Sequence, residues 1–423
     1  DNGCMVGSLL ASATPEQKCT APDMVGYDEA QALLAACMQN IPLLPIEFVS
    51  IAQADGRILA EDVRAVMPRP EADISAMDGY AFRCADMEKA GNAGLPLAGQ
   101  IAAGDTPPPL GQDVAYGILT GARLPVGADC VVAQERASIM NGRVHLREQT
   151  ARSGLNIRRQ GEEFCKGDML LEHGQKLDWR HLPILVHQGK KQVAVYKRPK
   201  ICVVANGAEF GATATDYRTE LNTQLLAAML QSKGALVTRH VCGSDSAEDL
   251  HKLLYQCVQE ADILITTGGI SVGQTDHVLS VLNQMGAKCL FRRVKIRPGK
   301  PMTVMQLGQK MVFCLPGNPA AAAICAQLFV VPFLHCLVDE KYEANASIAT
   351  EGQSRFSYVA ATDTTCFLPV HFTENKGENS ISLVPSVGAS DILCLTRATG
   401  FVKVSAGETL QVGDMCQMIP FTS

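Results

Sequence analysis

The chain has 423 residues, enough for about three domains at roughly 150 residues each. Hydrophobic residues make up 47% and charged residues 19%, with 36 Gly and 21 Pro, which allows several buried cores and excludes a disordered, fibrous or low-complexity chain. Lys and Arg total 37 against 43 Asp and Glu, a formal charge of −6, so the chain lacks the bulk positive field that holds a nucleic acid, while a local cluster can still hold one phosphorylated small molecule.

In chain order, the start (Asp1-Asn2-Gly3-Cys4) lacks the basic region of a signal peptide, and the first twenty or so residues read as a flexible tail. Residues 65–155 hold short β-like pieces separated by Gly and Pro, as in Gly104-Asp105-Thr106-Pro107-Pro108-Pro109. The middle alternates strand and helix. An apolar run at 201–205 predicts a buried strand. Leu221, Leu225, Met229 and Leu230 predict a helix over 220–233, ended by Gly234. A strand over 235–241 follows, then a helix capped by Ser246 with Leu250, Leu253, Leu254, Cys257 and Val258 on one face. Further strands are expected at 262–267 and 311–315, with a helix at 277–285 between them. The alternation predicts a parallel sheet covered on both faces. Residues 319–338 carry no charge and have the length of a membrane span, but four alanines, Gln327, Pro332 and His335 favour a buried helix of a soluble protein. Residues 345–423 again read as β-rich. The 16 cysteines stand singly with no C-x-x-C, which excludes ribbon-type zinc motifs and thioredoxin-type motifs and fits a reducing cytoplasm.

The chemistry concentrates at strand ends. Thr266-Thr267-Gly268-Gly269-Ile270-Ser271-Val272-Gly273 runs from a strand to a helix, so its glycines, the Ser271 hydroxyl and the helix N-terminus suit a phosphate better than a plain turn. Leu315-Pro316-Gly317-Asn318-Pro319 has the same setting and would form the other wall of a cleft. Between them, Arg292, Arg293, Lys295, Arg297 and Lys300 place five cations in nine residues. If that segment is extended, Arg293, Lys295 and Arg297 share a face, and the prolines around Lys300 hold it rigidly for an oxyanion. Asp78, Glu209, Asp245 and Asp276 are candidate Mg²⁺ ligands, although Asp245 could instead serve a helix N-terminus and Asp78-Gly79 a turn.

Ser75-Ala-Met-Asp-Gly-Tyr-Ala81, Thr120-Gly-Ala122, Pro125, Gly127-Ala-Asp129, Glu135, Arg158-Arg159-Gln-Gly161-Glu162, Gly268-Gly-Ile-Ser-Val-Gly273, Asp276, Pro298-Gly-Lys-Pro301 and Pro316-Gly-Asn-Pro319 occur in an order that resembles the molybdopterin molybdenumtransferase family, which includes the E domain of gephyrin. The resemblance runs from about residue 25 to the C-terminus and is weakest after 345. It implies an elongated multi-domain subunit: a tail at 1–22, a small discontinuous linking domain (46–64 and 156–195), a β-rich domain (65–155), a three-layer α/β domain with a parallel-type sheet (23–45 and 196–338) and a C-terminal β-barrel-like domain (339–423). It also implies a cytoplasmic homodimer with the active site between subunits, and molybdopterin adenylyltransferase as the upstream partner. The implied reaction moves molybdenum from molybdate into adenylylated molybdopterin with Mg²⁺, releasing AMP. Carried over by motif, Asp78, Glu209, Asp276 and Lys300 are catalytic. Asp78, Glu209, Asp245 and Asp276 hold the metal. Thr120, Arg159, Asn222, Gly268, Gly269, Ser271, Gly273, Arg297, Pro316, Gly317, Asn318 and Ser390 bind substrate. The chain departs from the family pattern at Ala208, Glu163, Ala321 and Pro369, which keeps a second reading in play, a catalytically altered paralogue that binds molybdopterin or scaffolds a partner.

Overall fold

The computed structural model describes residues 22–148, 151–207, 210, 220–243, 246–268, 277–338, 350–375 and 378–421. The tail expected at the N-terminus therefore lies outside the described residues, apart from Pro22. The chain divides into two compact units, Phe48–Val195 and the remainder.

The second of these is built on a six-stranded sheet. In chain order its elements are α1 (Tyr27–Met38), β1 (Lys200–Asn206), α2 (Asn222–Ser232), β2 (Leu236–Cys242), α3 (Ala247–Glu260), β3 (Ile263–Thr267), α4 (His277–Gln284), β4 (Lys288–Arg292), β5 (Thr303–Leu307), β6 (Lys310–Leu315) and α5 (Pro319–Cys325). The strand order is β2-β1-β3-β6-β5-β4. β1 is buried from Ile201 to Ala205, as a strand covered on both faces must be, whereas β2 at the edge is largely exposed. Ser246 caps α3 through the Asp249 amide at 3.3 Å, and Leu250, Leu254, Cys257 and Val258 turn inward from that helix. Each such side chain contributes about 1.5–3 kcal/mol through the area it removes from water.

The fully parallel expectation needs one correction. β1, β2, β3 and β6 are parallel, but β5 runs antiparallel to β6 and β4 antiparallel to β5. The cause is a tight hairpin between β5 and β6 at Gly308, whose φ of +61° is one that glycine adopts without strain. The apolar stretch after Pro319 is a helix inside the protein. It continues from α5 through a π-helical stretch, Ala326–Val330, to Val331–Cys336, and 94% of its most apolar window is buried.

The C-terminal strands Thr350–Ser354, Thr365–Asn375, Glu378–Leu383, Gly400–Val404 and Met415–Pro420 pair in a closed five-stranded barrel around Val370, Ile381, Val402 and Met418. Pro369 lies on a strand of this barrel, paired with Phe401, between the core residues Leu368 and Val370. α1 joins the barrel to the α/β layers. The Tyr27 ring lies edge-on to Phe329 and Phe367 at 6.0 and 5.1 Å, with the Lys403 ammonium 4.6 Å from its centroid, and burial pushes its phenol up to about 12.

The unit Phe48–Val195 holds a six-stranded sheet from Gly79–Phe82, Leu95–Ile101, Ala115–Ile118, Cys130–Ala133, Ala137–Met140 and Arg143–Leu146. A separate core of Val49, Leu59, Val63, Leu171, Leu177, Leu185 and Val193 brings together the two ends of this stretch of chain.

Candidate functional site

Parallel pairing fixes where the loops emerge. Ala205 lies beside Thr267, Thr267 beside Leu315, and Asn206 beside Cys242, so the loops after β1, β2, β3 and β6 all leave at one edge of the sheet. Because β5 is antiparallel, its first residue, Thr303, lies beside Cys314. The Pro298-Gly299-Lys300-Pro301 turn that precedes it therefore belongs to this same edge. The hairpin that corrects the parallel reading is what brings Lys300 there.

Gly268 opens the glycine loop at φ +79°, and a Cβ on it would lie 2.4 Å from the Asn206 carbonyl oxygen, so this position requires glycine on both counts. Gly317 packs on it: a Cβ on Gly317 would lie 3.5 Å from the Gly268 Cα. Asn222, the first residue of α2, donates from Nδ2 to the Gly317 carbonyl at 2.7 Å and to the Thr267 hydroxyl at 3.4 Å. It thus ties the loop after β6 to the end of β3, while its buried Oδ1 has no partner among the described residues. A buried acceptor with no donor at a rim of glycine loops is the kind of exception that marks a ligand position. Just ahead of it, Glu220 is buried and accepts from the Thr223 amide at 2.8 Å and hydroxyl at 2.5 Å, a carboxylate at the positive end of α2.

Pro316 is buried, while Gly317 and Asn318 are exposed, and Asn318 precedes α5 without capping it by its side chain. The Ala320 amide donates to the Ala389 carbonyl at 3.1 Å, which sets the exposed Ser390 close to the start of α5. Lys300 is exposed and forms no ion pair with a described residue. Gly299 behind it, at φ +113°, leaves no room for a Cβ, which would lie 2.4 Å from the Cys325 sulfur, so the turn is pressed against α5.

The cationic segment departs from its expected form. It is not one strand: Arg293 has a φ of +46° and breaks the run between β4 and the short strand Ile296–Arg297. Arg293 is paired with Asp23, its carbonyl accepts from the Val25 amide, and Ile296–Arg297 joins the barrel strand beside Thr365–Cys366. Arg293, Lys295 and Arg297 therefore do not form one period-2 face. Glu209, Asp245, Gly269, Ser271, Gly273 and Asp276 lie outside the described residues.

In the other unit, Asp78 ends the Ser75-Ala76-Met77-Asp78 loop and precedes Gly79, whose close approach to the neighbouring strand (a Cβ would lie 2.0 Å from the Val132 oxygen) excludes any larger residue. Asp78 Oδ1 accepts from the Thr120 amide at 2.7 Å and the Thr120 hydroxyl at 2.8 Å, and these bonds hold its carboxyl below the usual range. Among the described residues Oδ2 has no partner. Thr120, expected to bind substrate, supplies both of these donors to Asp78. Arg159 pairs with Asp73 at 2.6 Å, and its amide donates to Glu162. Glu163 bridges Arg158 at 2.5 Å and Arg69 at 2.9 Å, which lowers its carboxyl in turn.

Sequence reasoning did not find the Asn222–Gly317 tie, which joins residues 95 apart, or the partnership of Asp78 with Thr120 across 42 positions. A two-residue turn at Gly308 was the available signal for the hairpin that places Lys300.

Comparison with known proteins adds a family. A model described as the MoeA N-terminal region (domain I and II) matches residues 25–189, and one described as a probable molybdopterin binding domain matches residues 202–336. The chain is 30% identical to a molybdopterin molybdenumtransferase of Haemophilus influenzae over 75% of its length and 79% of that protein's. It is 34% identical to one of Nostoc sp. over 69% of each chain. The crystal structure of a molybdopterin biosynthesis moeA protein from Pyrococcus horikoshii superposes with a TM-score of 0.79 at 26% identity, covering 95% of this chain and all of that one.

Proposed function

The chain belongs to the molybdopterin molybdenumtransferase family, and from that premise we propose that it inserts molybdenum from molybdate into adenylylated molybdopterin, releasing AMP and finished molybdenum cofactor. The observation that carries the reading is the sheet edge. Two glycine turns and a lysine turn lie at that edge, donors suited to phosphate and oxyanion groups, while the Asn222 oxygen, with no partner among the described residues, would accept from an N–H or O–H of the ligand. Backbone amides of the Gly268 and Gly317 loops would hold the pterin phosphates, and Lys300 would face the negative charge of phosphate or molybdate. Arg297, Asn318 and Ser390 would line the same ligand. Nothing in the structure or the relatives favours the scaffold reading.

Mg²⁺ would be held by Asp78, Glu209, Asp245 and Asp276, an all-oxygen donor set suited to a hard cation, and it would neutralise charge developing on the phosphoanhydride. Asp78 fits that duty in having a depressed carboxyl and an Oδ2 with no partner among the described residues. Thr120 orients that carboxylate, and Arg159, held by Asp73, would contact substrate through its remaining guanidinium N–H groups. We propose further that the protein is cytoplasmic and works as a homodimer with its active site between subunits, receiving its pterin from molybdopterin adenylyltransferase.

The test is direct. Purified protein given adenylylated molybdopterin, molybdate and Mg²⁺ should release AMP, and Asp78→Ala or Lys300→Ala should abolish the release without unfolding the protein. An inactive unmodified chain, under conditions where the Haemophilus relative turns over, would defeat the proposal.

A further inference from the structure

One cluster of metal-ligating side chains lies away from every loop discussed above. Cys202 of β1, His240 of β2 and Cys257 of α3 place one sulfur, one ring nitrogen and one sulfur within 4.8 Å of one another. Their chemistry follows from the register. Cys202 lies beside Thr238 and Val204 beside His240 in a parallel pair, so Cys202, Thr238 and His240 share the face of the sheet that α3 covers. Cys257 comes down onto that face from the inner side of α3. The two cysteines are buried, 1% and 2% exposed, whereas His240 is half-buried on the edge strand and offers a way in from solvent.

We propose that Cys202, His240 and Cys257 form a binding site for one thiophilic cation, Zn²⁺ in the first instance, which joins β1, β2 and α3. Three observations support it. First, two thiolates and an imidazole are the donors that borderline-soft cations select, and carboxylate-seeking Mg²⁺ is excluded by the same choice. Second, tetrahedral coordination at bond lengths of about 2.3 Å to sulfur and 2.0 Å to nitrogen needs donor separations of about 3.5–3.8 Å, which donors already within 4.8 Å reach by side-chain adjustment alone. Third, the two sulfurs lie in one apolar core with Val204, Leu254 and Val258, and the half-buried His240 opens it at the edge strand. Glu260, one turn beyond Cys257, adds negative charge.

The site is separate from the phosphate-binding edge. Cys202 stands four residues before Asn206, about 13 Å along the strand from where the loops emerge. Binding displaces the thiol protons, up to two per ion, and leaves a fourth coordination position, on the His240 side, for water.

The experiment uses the full chain, reduced, stripped with a chelator and desalted, then titrated with Zn²⁺ and separately with Co²⁺ as the spectroscopic probe. Thiolate-to-cobalt charge-transfer absorption should rise to a plateau at one equivalent, with proton release into weak buffer and a higher melting temperature with Zn²⁺. Cys202→Ala and Cys257→Ala should each abolish it, but both residues are in the core and these variants could fail to fold. His240→Gln, at a half-buried position, decides the matter: affinity should fall roughly ten-fold or more while Mg²⁺-dependent AMP release is unchanged. Equal Co²⁺ uptake by the unmodified chain and His240→Gln, or uptake without a thiolate band, would overturn the assignment. So would oxidation of the two sulfurs to a disulfide in a chain that takes up no metal when reduced.

Discussion

Replacing Gly268 by alanine tests the sheet edge at its tightest point. Two costs add. The φ of +79° places an L residue in the left-handed region, at about 1–2 kcal/mol. The new Cβ would lie 2.4 Å from the Asn206 carbonyl oxygen, and a backbone atom at the end of a central strand cannot swing away as a side-chain tip can, so overpacking adds about 1–3 kcal/mol. A total of about 3 kcal/mol is roughly a hundred-fold in the folding equilibrium. At about 2–4 °C per kcal/mol it lowers the melting temperature by about 6–12 °C. Gly286→Ala is the internal control: its φ is +89°, but nothing lies within 4 Å of the new Cβ, so strain alone costs about 1 kcal/mol. Thermal unfolding of the two variants, with AMP release measured on each below its transition, separates clash from strain. Gly268→Ala should be the less stable and should lose AMP release as the loop is displaced, while Gly286→Ala keeps it. If the two melt within about 2 °C of each other and both remain fully active, the close approach is not what holds the loop and the reasoning fails.

Other consequences follow from the same geometry. Thr120→Val removes one of two bonds to Asp78 Oδ1, so the Asp78 carboxyl should rise toward its ordinary value. Because the depressed value keeps that carboxylate ionised to lower pH, the acid limb of the AMP-release profile should move to higher pH in the variant; an unmoved limb would show that Asp78 does not set it. Asn222→Ala frees the Gly317 carbonyl and should raise the apparent KM for the pterin substrate at least several-fold, read from initial rates, with the secondary structure seen by circular dichroism retained. Ser246→Ala removes the α3 cap and should cost about 1 kcal/mol of stability with AMP release intact, so a variant as stable as the parent would contradict the cap. Phe313→Ala removes a fully buried ring lying edge-on to Phe333 at 5.5 Å and should cost about 3–5 kcal/mol in chemical denaturation.

Local signals in the α/β region were legible because they are local. The apolar run of β1, the Ser246 cap and the inward face of α3 are each specified within a few residues, and the strand–loop–helix setting of Gly268 and Gly317 follows from them. The cationic stretch misled because its conformation is set from outside: Asp23 and Val25, some 270 positions earlier, hold Arg293 at positive φ, and the barrel strand captures Ile296–Arg297. Period-2 reasoning has no access to such partners. The Cys202–His240–Cys257 cluster was invisible for the same reason, since its members are 38 and 17 residues apart and meet only through strand register and the descent of α3. Glu163 and Pro369 looked like departures from a pattern; in the fold, one bridges two arginines and the other occupies a barrel strand opposite Phe401.

The central claim, that this chain moves molybdenum onto a pterin, is tested most directly by counting both products of one reaction. With adenylylated molybdopterin, molybdate and Mg²⁺, the protein should yield AMP and pterin-bound molybdenum in equal amounts, the latter able to activate a cofactor-free molybdenum enzyme, and Lys300→Ala should yield neither. AMP release with no molybdenum on the pterin would contradict the account.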